Sequence, residues 1–313
     1  MENDLPDYDA LPLIERIGMR HAWDVFGRDD QLGTINLLTP DRVLAAIKTV
    51  ERGETINLSL PLTEPDPPLY GRRRLQHEVF SIDRNNLDDR MDSFYPQASS
   101  QWDGLRHVRA REFGYYGGMT ETPEAGGGHL GIERWAEHGM FGRGVLLDIA
   151  GYFEGLGEPL DPLEPRPITA DDLRATAAGQ NVRIETGDIL CLHFGWIEGY
   201  RAMDHPGRER YAHAPSFPGL EGSEAMARLL WNWHVAALAC DNPAVEMMPG
   251  DPQVGSLHRR ILPLLGFCLG EMLDFSRLTT ELRAAGRWTF MFGAVPLNLP
   301  GGVGSPANAI AIL

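Results

Sequence analysis

Apolar and polar positions along the chain follow two different periods, which predict interleaved strands and helices. After Thr39, apolar side chains recur at helical spacing until Gly53, with Thr39 as the cap and Pro40 in the first turn. Other segments, such as 144–149, are short and almost continuously apolar, which is typical of buried strands. The predicted strands cover residues 55–60, 77–82, 144–149, 188–194, 235–240, 288–297 and 309–313, and the predicted helices cover 39–52, 131–138, a segment that begins at Thr169, 223–234 and 257–268.

The alternation of these strands and helices predicts an α/β fold. Thr169 and Asp172 form a capping-box pattern at the start of one helix. Repeats and breaks in composition are absent from the sequence, so residues 1–313 are expected to form a single domain in which 1–20 are an N-terminal extension. Three segments rich in Gly and Pro exceed the usual loop length and are expected to be functional loops, namely 61–71, 117–128 and 199–218.

The charge of the chain narrows the range of partners. It has 28 Lys and Arg against 44 Asp and Glu, a formal net charge of -16. Nucleic acid and anionic membranes need clustered basic side chains, so neither is an expected partner. The one dense basic run, 72–74, is interpreted as a solvated loop face, with an anion site as the alternative. The sequence shows neither a long apolar span nor a signal-peptide pattern, and a cytoplasmic location is expected.

One segment concentrates side chains of the kinds that bind metals. Gln97, Gln101, Asp103 and His107 are separated by even numbers of residues, so an extended backbone would place them on one face. Aspartate oxygen and histidine nitrogen are ligands shared by zinc and manganese sites, whereas glutamine offers a weaker neutral carbonyl. On spacing alone, a metal or catalytic site and a polar loop both remain open.

The same segment resembles the metal motif of the cyclase family, which includes bacterial kynurenine formamidases and isatin hydrolase. That motif runs His-x-Gly-Thr-His-x-Asp-x-Pro-x-His. Aligned with it, Asp103 and His107 are retained, whereas Gln97 and Gln101 replace two histidines and Ser100 replaces the threonine. Further segments are similar to the family in the same order, at 27–40, 142–148, 187–190 and 218–220. The resemblance covers residues 20–313 approximately.

The resemblance also implies a ligand set and catalytic roles. The family has a later His and Glu that reach the metal, and His258 and Glu271 match them. The implied cofactor is a divalent Zn or Mn ion held by Asp103, His258 and Glu271 together with Gln101 or Gln97. His107 matches the family's catalytic histidine and is expected to be the general base. Because two glutamines replace histidines, we expect weaker metal binding or a harder metal than in the His-rich relatives.

The fold and activity implied by the resemblance are those of the family. The fold would be a swivelling β/β/α arrangement with a mixed sheet that is partly barrel-like, assembled as a homodimer or homotetramer. The reaction would be hydrolysis of an amide or ester carbonyl in a small molecule, such as a lactone, a lactam or an N-formyl compound. Two alternatives remain: a metal-free lyase or isomerase in which Glu271 and His107 act as acid and base, and a non-catalytic binding protein with the same pocket.

Several other side chains have both a functional and a structural interpretation. An apolar substrate pocket is predicted to include four aromatic residues, although such side chains also build cores: Trp102, Tyr115, Tyr116 and Trp196. Asp148 and Asp241 follow buried strands, where they are either site residues or caps.

Overall fold

A computed structural model describes residues 5–313, and its centre is a mixed sheet of nine strands. The strand order across this sheet is β14-β6-β12-β11-β9-β7-β13-β15-β3. The strands are β1 (Leu13–Ile14), β2 (Met19–Arg20), β3 (Thr55–Asn57), β4 (Gln76–Ser81), β5 (Leu87–Asp92), β6 (Gln101–Asp103), β7 (Met140–Asp148), β8 (Pro167–Ile168), β9 (Ile189–His193), β10 (Gly219–Leu220), β11 (Ala237–Cys240), β12 (Cys268–Glu271), β13 (Thr289–Ala294), β14 (Gly304–Pro306) and β15 (Ala309–Ile312).

Helices flank the sheet and fill the connections between its strands. The α-helices are α1 (Pro40–Ile47), α2 (Glu133–His138), α3 (Ile149–Gly155), α4 (Ala170–Gly179), α5 (Trp196–Ala202), α6 (His205–His213), α7 (Glu224–Asn232), α8 (Leu257–Leu265) and α9 (Ser276–Ala285), and short 3-10 turns cover Tyr8–Ala10, Gly33–Leu37, Arg111–Phe113 and Tyr116–Gly118. At α4, Thr169 and Asp172 form the capping box that the sequence predicts.

The middle of the sheet consists of four neighbouring parallel strands, β7, β9, β11 and β12. Their residues are buried almost throughout, which explains why the sequence of these strands is nearly continuous in apolar residues. Antiparallel strands complete the sheet on both sides of this block. The curled mixed sheet with flanking helices confirms the predicted α/β fold class.

Two predicted elements need correction. Helix α8 ends at Leu265 because Gly266 adopts a left-handed conformation, and Cys268 therefore begins strand β12 instead of ending a helix. The segment 199–218 was expected to be a long loop, but it contains the end of α5 and all of α6. Asp204 caps α6 by accepting from the backbone N–H of Gly207. None of the residues of α6 is buried, which is why no apolar periodicity marks this helix in the sequence.

Strands β4 and β5 form a hairpin that stands apart from the main sheet. Every residue of the two strands is exposed, including Val79 and Leu87. Across the part of the chain that the structure describes, no helix is long and apolar enough to span a membrane. Assembly as a homodimer or homotetramer stays a prediction.

The short strand β6 has a packing requirement that fixes its place beside β12. Trp102 on β6 is paired with Gly270 on β12, and the indole lies across the glycine. A Cβ atom at Gly270 would come within 2.6 Å of the Trp102 ring. The indole N–H donates to the carbonyl of Ala307, so the ring cannot turn away without losing this hydrogen bond.

We predict that Gly270→Ala lowers the free energy of unfolding by about 1–3 kcal/mol, because the added methyl group overpacks a filled core. Gly155→Ala is the matched control, since a Cβ atom there meets nothing within 4 Å. Chemical denaturation followed by circular dichroism measures both variants. Equal stability of the two variants would show that the Trp102 contact does not constrain β6.

Candidate metal centre and active site

The pairing of β6 with β12 brings three polar side chains to one face of the sheet. Gln101 is opposite Glu271, and Asp103 is opposite Leu269, so side chains two apart on each strand face the same way. Gln101, Asp103 and Glu271 are all buried. Burial of two carboxylates side by side is costly unless positive charge or hydrogen bonds compensate it.

Helix α8 supplies the histidine that completes this cluster. Nε2 of His258 lies 3.1 Å from Oε1 of Glu271 and 3.6 Å from Oδ2 of Asp103. One potential ligand atom from each of the three residues lies within 4.8 Å of the others. The structure therefore brings together Asp103, His258 and Glu271, the three residues that the family resemblance implied as a metal set.

The electrostatics of the cluster favour an added positive charge. Burial and, to a smaller extent, the nearby charge of Asp103 raise the pKa of the Glu271 carboxyl to about 7. Burial by itself lowers the pKa of His258, but hydrogen bonds with Asp103, Glu246 and Glu271 outweigh it and raise the pKa well above 6.5. In the metal-free state, protons on His258 and Glu271 thus compensate the carboxylates.

The cluster contains a buried oxygen atom that is free to meet a cation. Nε2 of Gln101 donates to Oε2 of Glu271 at 2.5 Å, whereas the buried Oε1 of Gln101 has no hydrogen-bond partner among the described residues. A buried carbonyl oxygen without a partner is unfavourable unless a cation or a donor meets it. Two carboxylates, one amide oxygen and one imidazole nitrogen are a donor set that suits Zn or Mn.

Gln97 and His107 reach the cluster from turns on either side of β6. The amide Nε2 of Gln97 contacts Oδ1 of Asp103 and lies 3.1 Å from Nδ1 of His107. Nε2 of His107 lies 3.4 Å from Oδ2 of Asp103. Only residues 101–103 of this segment form a strand, so turns, and not one continuous extended segment, bring Gln97 and His107 to Asp103.

His107 is suited to accept a proton. Burial is the main cause that lowers the pKa of its imidazole, so the ring is neutral near pH 7 and keeps one lone pair. The pKa shift of His107 is therefore opposite to that of His258, although both rings lie near Asp103. Histidines with different protonation states in one site can take different roles.

Glu246 is part of the site, and the sequence reasoning missed it. Its Oε1 lies 2.8 Å from Nδ1 of His258, and its Oε2 accepts from the backbone N–H of Leu257 at 2.6 Å. Glu246 thus caps the start of α8 and orients the His258 ring so that Nε2 faces the carboxylates. The available signal was an acidic residue shortly after buried strand β11, near the carboxyl ends of the parallel strands.

A cleft of about 370 Å³ opens beside the cluster. The polar part of its wall includes Asp103, His107, His258 and Glu271. The remaining wall combines basic, aromatic and apolar side chains, namely Tyr70, Arg72, Val108, Pro243, Ala244, Met248 and Arg259. Small-molecule sites commonly combine such apolar walls with a few convergent polar groups.

The four aromatic residues predicted to contact substrate lie elsewhere. Trp102, Tyr116 and Trp196 are fully buried; the hydroxyl of Tyr116 donates to Asp30, and Trp196 stacks on Tyr200. Tyr115 packs against the main core and lies under the guanidinium of Arg109. None of the four lines the cleft as the described residues form it, which corrects the expected pocket wall. Their size and apolarity serve the core instead.

Asp148 and Asp241 act as caps at the ends of their strands. Asp148 accepts from the backbone N–H of Gly151 at the start of α3 and pairs with His193 and Arg283. The carboxylate of Asp241 accepts three backbone N–H groups, which belong to residues 194–196. His193, Glu198 and Asp241 form a second group of potential metal ligands, but hydrogen bonds within the protein already occupy them.

Solved structures of other proteins have this fold. A crystal structure of a novel cyclase is 30% identical, with a TM-score of 0.82, and the match covers 94% of this chain and 99% of that one. Isatin hydrolase A from Labrenzia aggregata, bound to benzyl benzoate, is 16% identical with a TM-score of 0.59 over 87% of this chain and 97% of its own. A predicted metal-dependent hydrolase from Bacillus stearothermophilus is 16% identical with a TM-score of 0.50, over 82% and 97%.

Sequence comparison agrees with the structural likeness. No curated protein matches the chain. The family model named Cyclase matches residues 56–247, which is more than half of the chain and includes Gln97, Asp103, His107 and Glu246. Together with the 30% identity to a cyclase of known structure, this match shows that the chain belongs to the cyclase family.

Proposed function

We propose that this protein is a metal-dependent hydrolase that cleaves an amide or ester carbonyl in a small molecule, such as a lactone, a lactam or an N-formyl compound. The observation that carries the proposal is the convergence of Asp103, His258 and Glu271 beside an unpaired amide oxygen, in an open cleft that also holds His107. Similarity in fold to isatin hydrolase A and to a predicted metal-dependent hydrolase supports it.

The metal would be held by Asp103, His258 and Glu271, with Oε1 of Gln101 as a further donor. When bound, a Zn or Mn ion supplies Lewis acidity that polarises a carbonyl and makes water a better nucleophile. Glu246 keeps the His258 ring in the tautomer that presents Nε2 to the centre. Gln97 contributes a donor to Asp103 and so helps to hold this carboxylate in place.

The proton transfers are assigned to His107. Its neutral imidazole takes a proton from the attacking water and then gives it to the leaving nitrogen or oxygen. The carboxylate of Asp103, 3.4 Å from Nε2, stabilises the imidazolium that forms between these two steps. Because burial lowers the pKa of His107, the ring returns the proton readily.

We predict that His107→Ala lowers kcat by about 100-fold or more while metal content stays near that of the unaltered protein, because the ring transfers protons and is not among the proposed ligands. Asp103→Ala is expected to lose both turnover and metal. Elemental analysis and an ester and lactone hydrolysis assay measure the two properties. His77→Ala, on the exposed hairpin, is the matched control. Unchanged turnover in both site variants contradicts the assignment.

Metal affinity should fall in acid. The metal must displace protons from Glu271, whose pKa is raised to about 7, and from His258, whose pKa is also raised. The apparent Kd for Mn is therefore expected to rise about tenfold per pH unit below pH 7 for each displaced proton. Calorimetric titration in buffers of different ionisation enthalpy measures the affinity and the released protons together.

A pair of variants identifies which carboxylate cluster binds the metal. Glu271→Gln should abolish Mn binding, whereas Glu198→Gln, in the second group of potential ligands, should leave it unchanged. If Glu198→Gln abolishes Mn binding and Glu271→Gln does not, the metal site is instead the group of His193, Glu198 and Asp241. Activity that survives prolonged chelation would instead support the metal-free lyase or isomerase, in which Glu271 and His107 act as acid and base.

A further inference from the structure

Arg72 differs from the other arginines because its guanidinium is partly buried and yet has no partner among the described residues. Its Nη1 atom is buried, and its guanidinium makes neither a hydrogen bond nor an ion pair with any described residue. The guanidinium carbon lies 5.4 Å from the centre of the Tyr70 ring, which is its one close neighbour of this kind. A buried donor left unpaired is unfavourable, so a ligand that accepts its hydrogen bonds would be stabilised there.

Other arginines close to Arg72 show that this fold normally satisfies such groups. Arg74, two residues further on, pairs with Asp66 and Glu209. Arg106, on the other side of β6, donates to four backbone carbonyl groups. Arg73 and Arg259 also lack side-chain partners, but both are exposed to water, so Arg72 is the arginine of this region whose partly buried guanidinium is unpaired.

The loop that carries Arg72 is fastened on both sides. Leu69 is buried in a core cluster with Trp196, and it accepts a hydrogen bond from the backbone N–H of Arg72. On the other side, the ion pairs of Arg74 attach the loop to Asp66 and to helix α6. This anchoring holds Arg72 at the mouth of the cleft, where its charge also contributes to the lowered pKa of His107.

The negative charges of the cleft lie deep, and its positive charges lie nearer to the solvent. Asp103 and Glu271 are almost fully buried, whereas Arg72 is partly exposed and Arg259, on the same wall, is exposed. An anionic group on a ligand is attracted by the outer arginines. Between these two ends, Val108, Pro243 and Met248 provide apolar contact.

We propose that the cleft binds substrates that carry a carboxylate, and that Arg72 recognises this group while the scissile carbonyl faces His107 and the buried carboxylates. The planar fork of a guanidinium matches a carboxylate with two parallel hydrogen bonds. This inference rests on the proposed hydrolase for the direction of the carbonyl, but the carboxylate site itself stands on Arg72 and the cleft. The substrate class is a small apolar acid with a second, hydrolysable acyl group.

Equilibrium binding of benzoate and of benzamide to the Mn-loaded protein tests the proposal. The two probes share one ring, and only benzoate is charged. Loss of a charged hydrogen-bonded pair should weaken benzoate binding about tenfold or more in Arg72→Gln, with partial recovery in Arg72→Lys. Benzamide affinity should change less than about twofold. Arg73→Gln, an exposed neighbour in the sequence, is the matched control and should bind both probes like the unaltered protein.

Equal benzoate affinity in the unaltered protein and in both Arg72 variants would overturn the proposal, as would a failure of the unaltered protein to bind benzoate. Hydrolysis of 4-acetoxybenzoate and 4-acetoxybenzamide gives a second measurement, in which Arg72→Gln should raise KM for the charged ester alone. If none of a panel of esters, lactones, lactams and N-formyl compounds is hydrolysed but benzoate binding still requires Arg72, the carboxylate site is supported and the proposed hydrolase is contradicted. The two claims therefore fail separately.

Discussion

The site depends on one constraint, the burial of two carboxylates on adjacent strands. Asp103 and Glu271 share a face of the β6–β12 pair, where water cannot solvate both charges. Burial and the repulsion between the two carboxylates raise the pKa of Glu271, and their charge must be compensated by a proton, a cation or hydrogen bonds. His258 supplies a proton, and Gln101 and Gln97 supply hydrogen bonds to the carboxylates.

The fold holds this pair in place through interactions on both faces of the sheet. Behind the carboxylates, Trp102 lies across Gly270 and fixes the spacing of the two strands. In front of them, the first turn of α8 presents His258, and Glu246 sets both the start of that helix and the orientation of the ring. A substitution at Gly270 or Glu246 would therefore displace a proposed ligand, although neither residue is itself a ligand. Residues behind a metal site commonly position its ligands in this way.

The sequence predicts the parts of this structure that have a strong periodic pattern. The parallel strands are nearly continuous in apolar residues, and α4 has its capping box, so both are recognisable from the sequence. Strand β6 is too short and too polar to show a period, and the first residue of β12, Cys268, continues the apolar pattern of the helix before it. The metal set followed from resemblance to a family, whereas Glu246 and Arg72 come from connecting segments whose path depends on tertiary contacts. Trp102 was predicted to line the pocket but lies in the core. The sequence cannot separate the two roles, because a bulky aromatic side chain suits either place.

The two glutamines give the centre a chemistry different from that of a histidine motif. A neutral imidazole that binds a metal through one nitrogen has a single N–H left, whereas a primary amide has two N–H groups and a carbonyl. Gln101 uses an N–H to hold Glu271 and keeps its oxygen free, and Gln97 donates to Asp103. Both amides therefore fix the carboxylates while the donor set becomes richer in oxygen. Oxygen-rich sets favour harder ions, so exchange of imidazole for amide shifts the expected preference from Zn towards Mn and leaves the position of the centre unchanged.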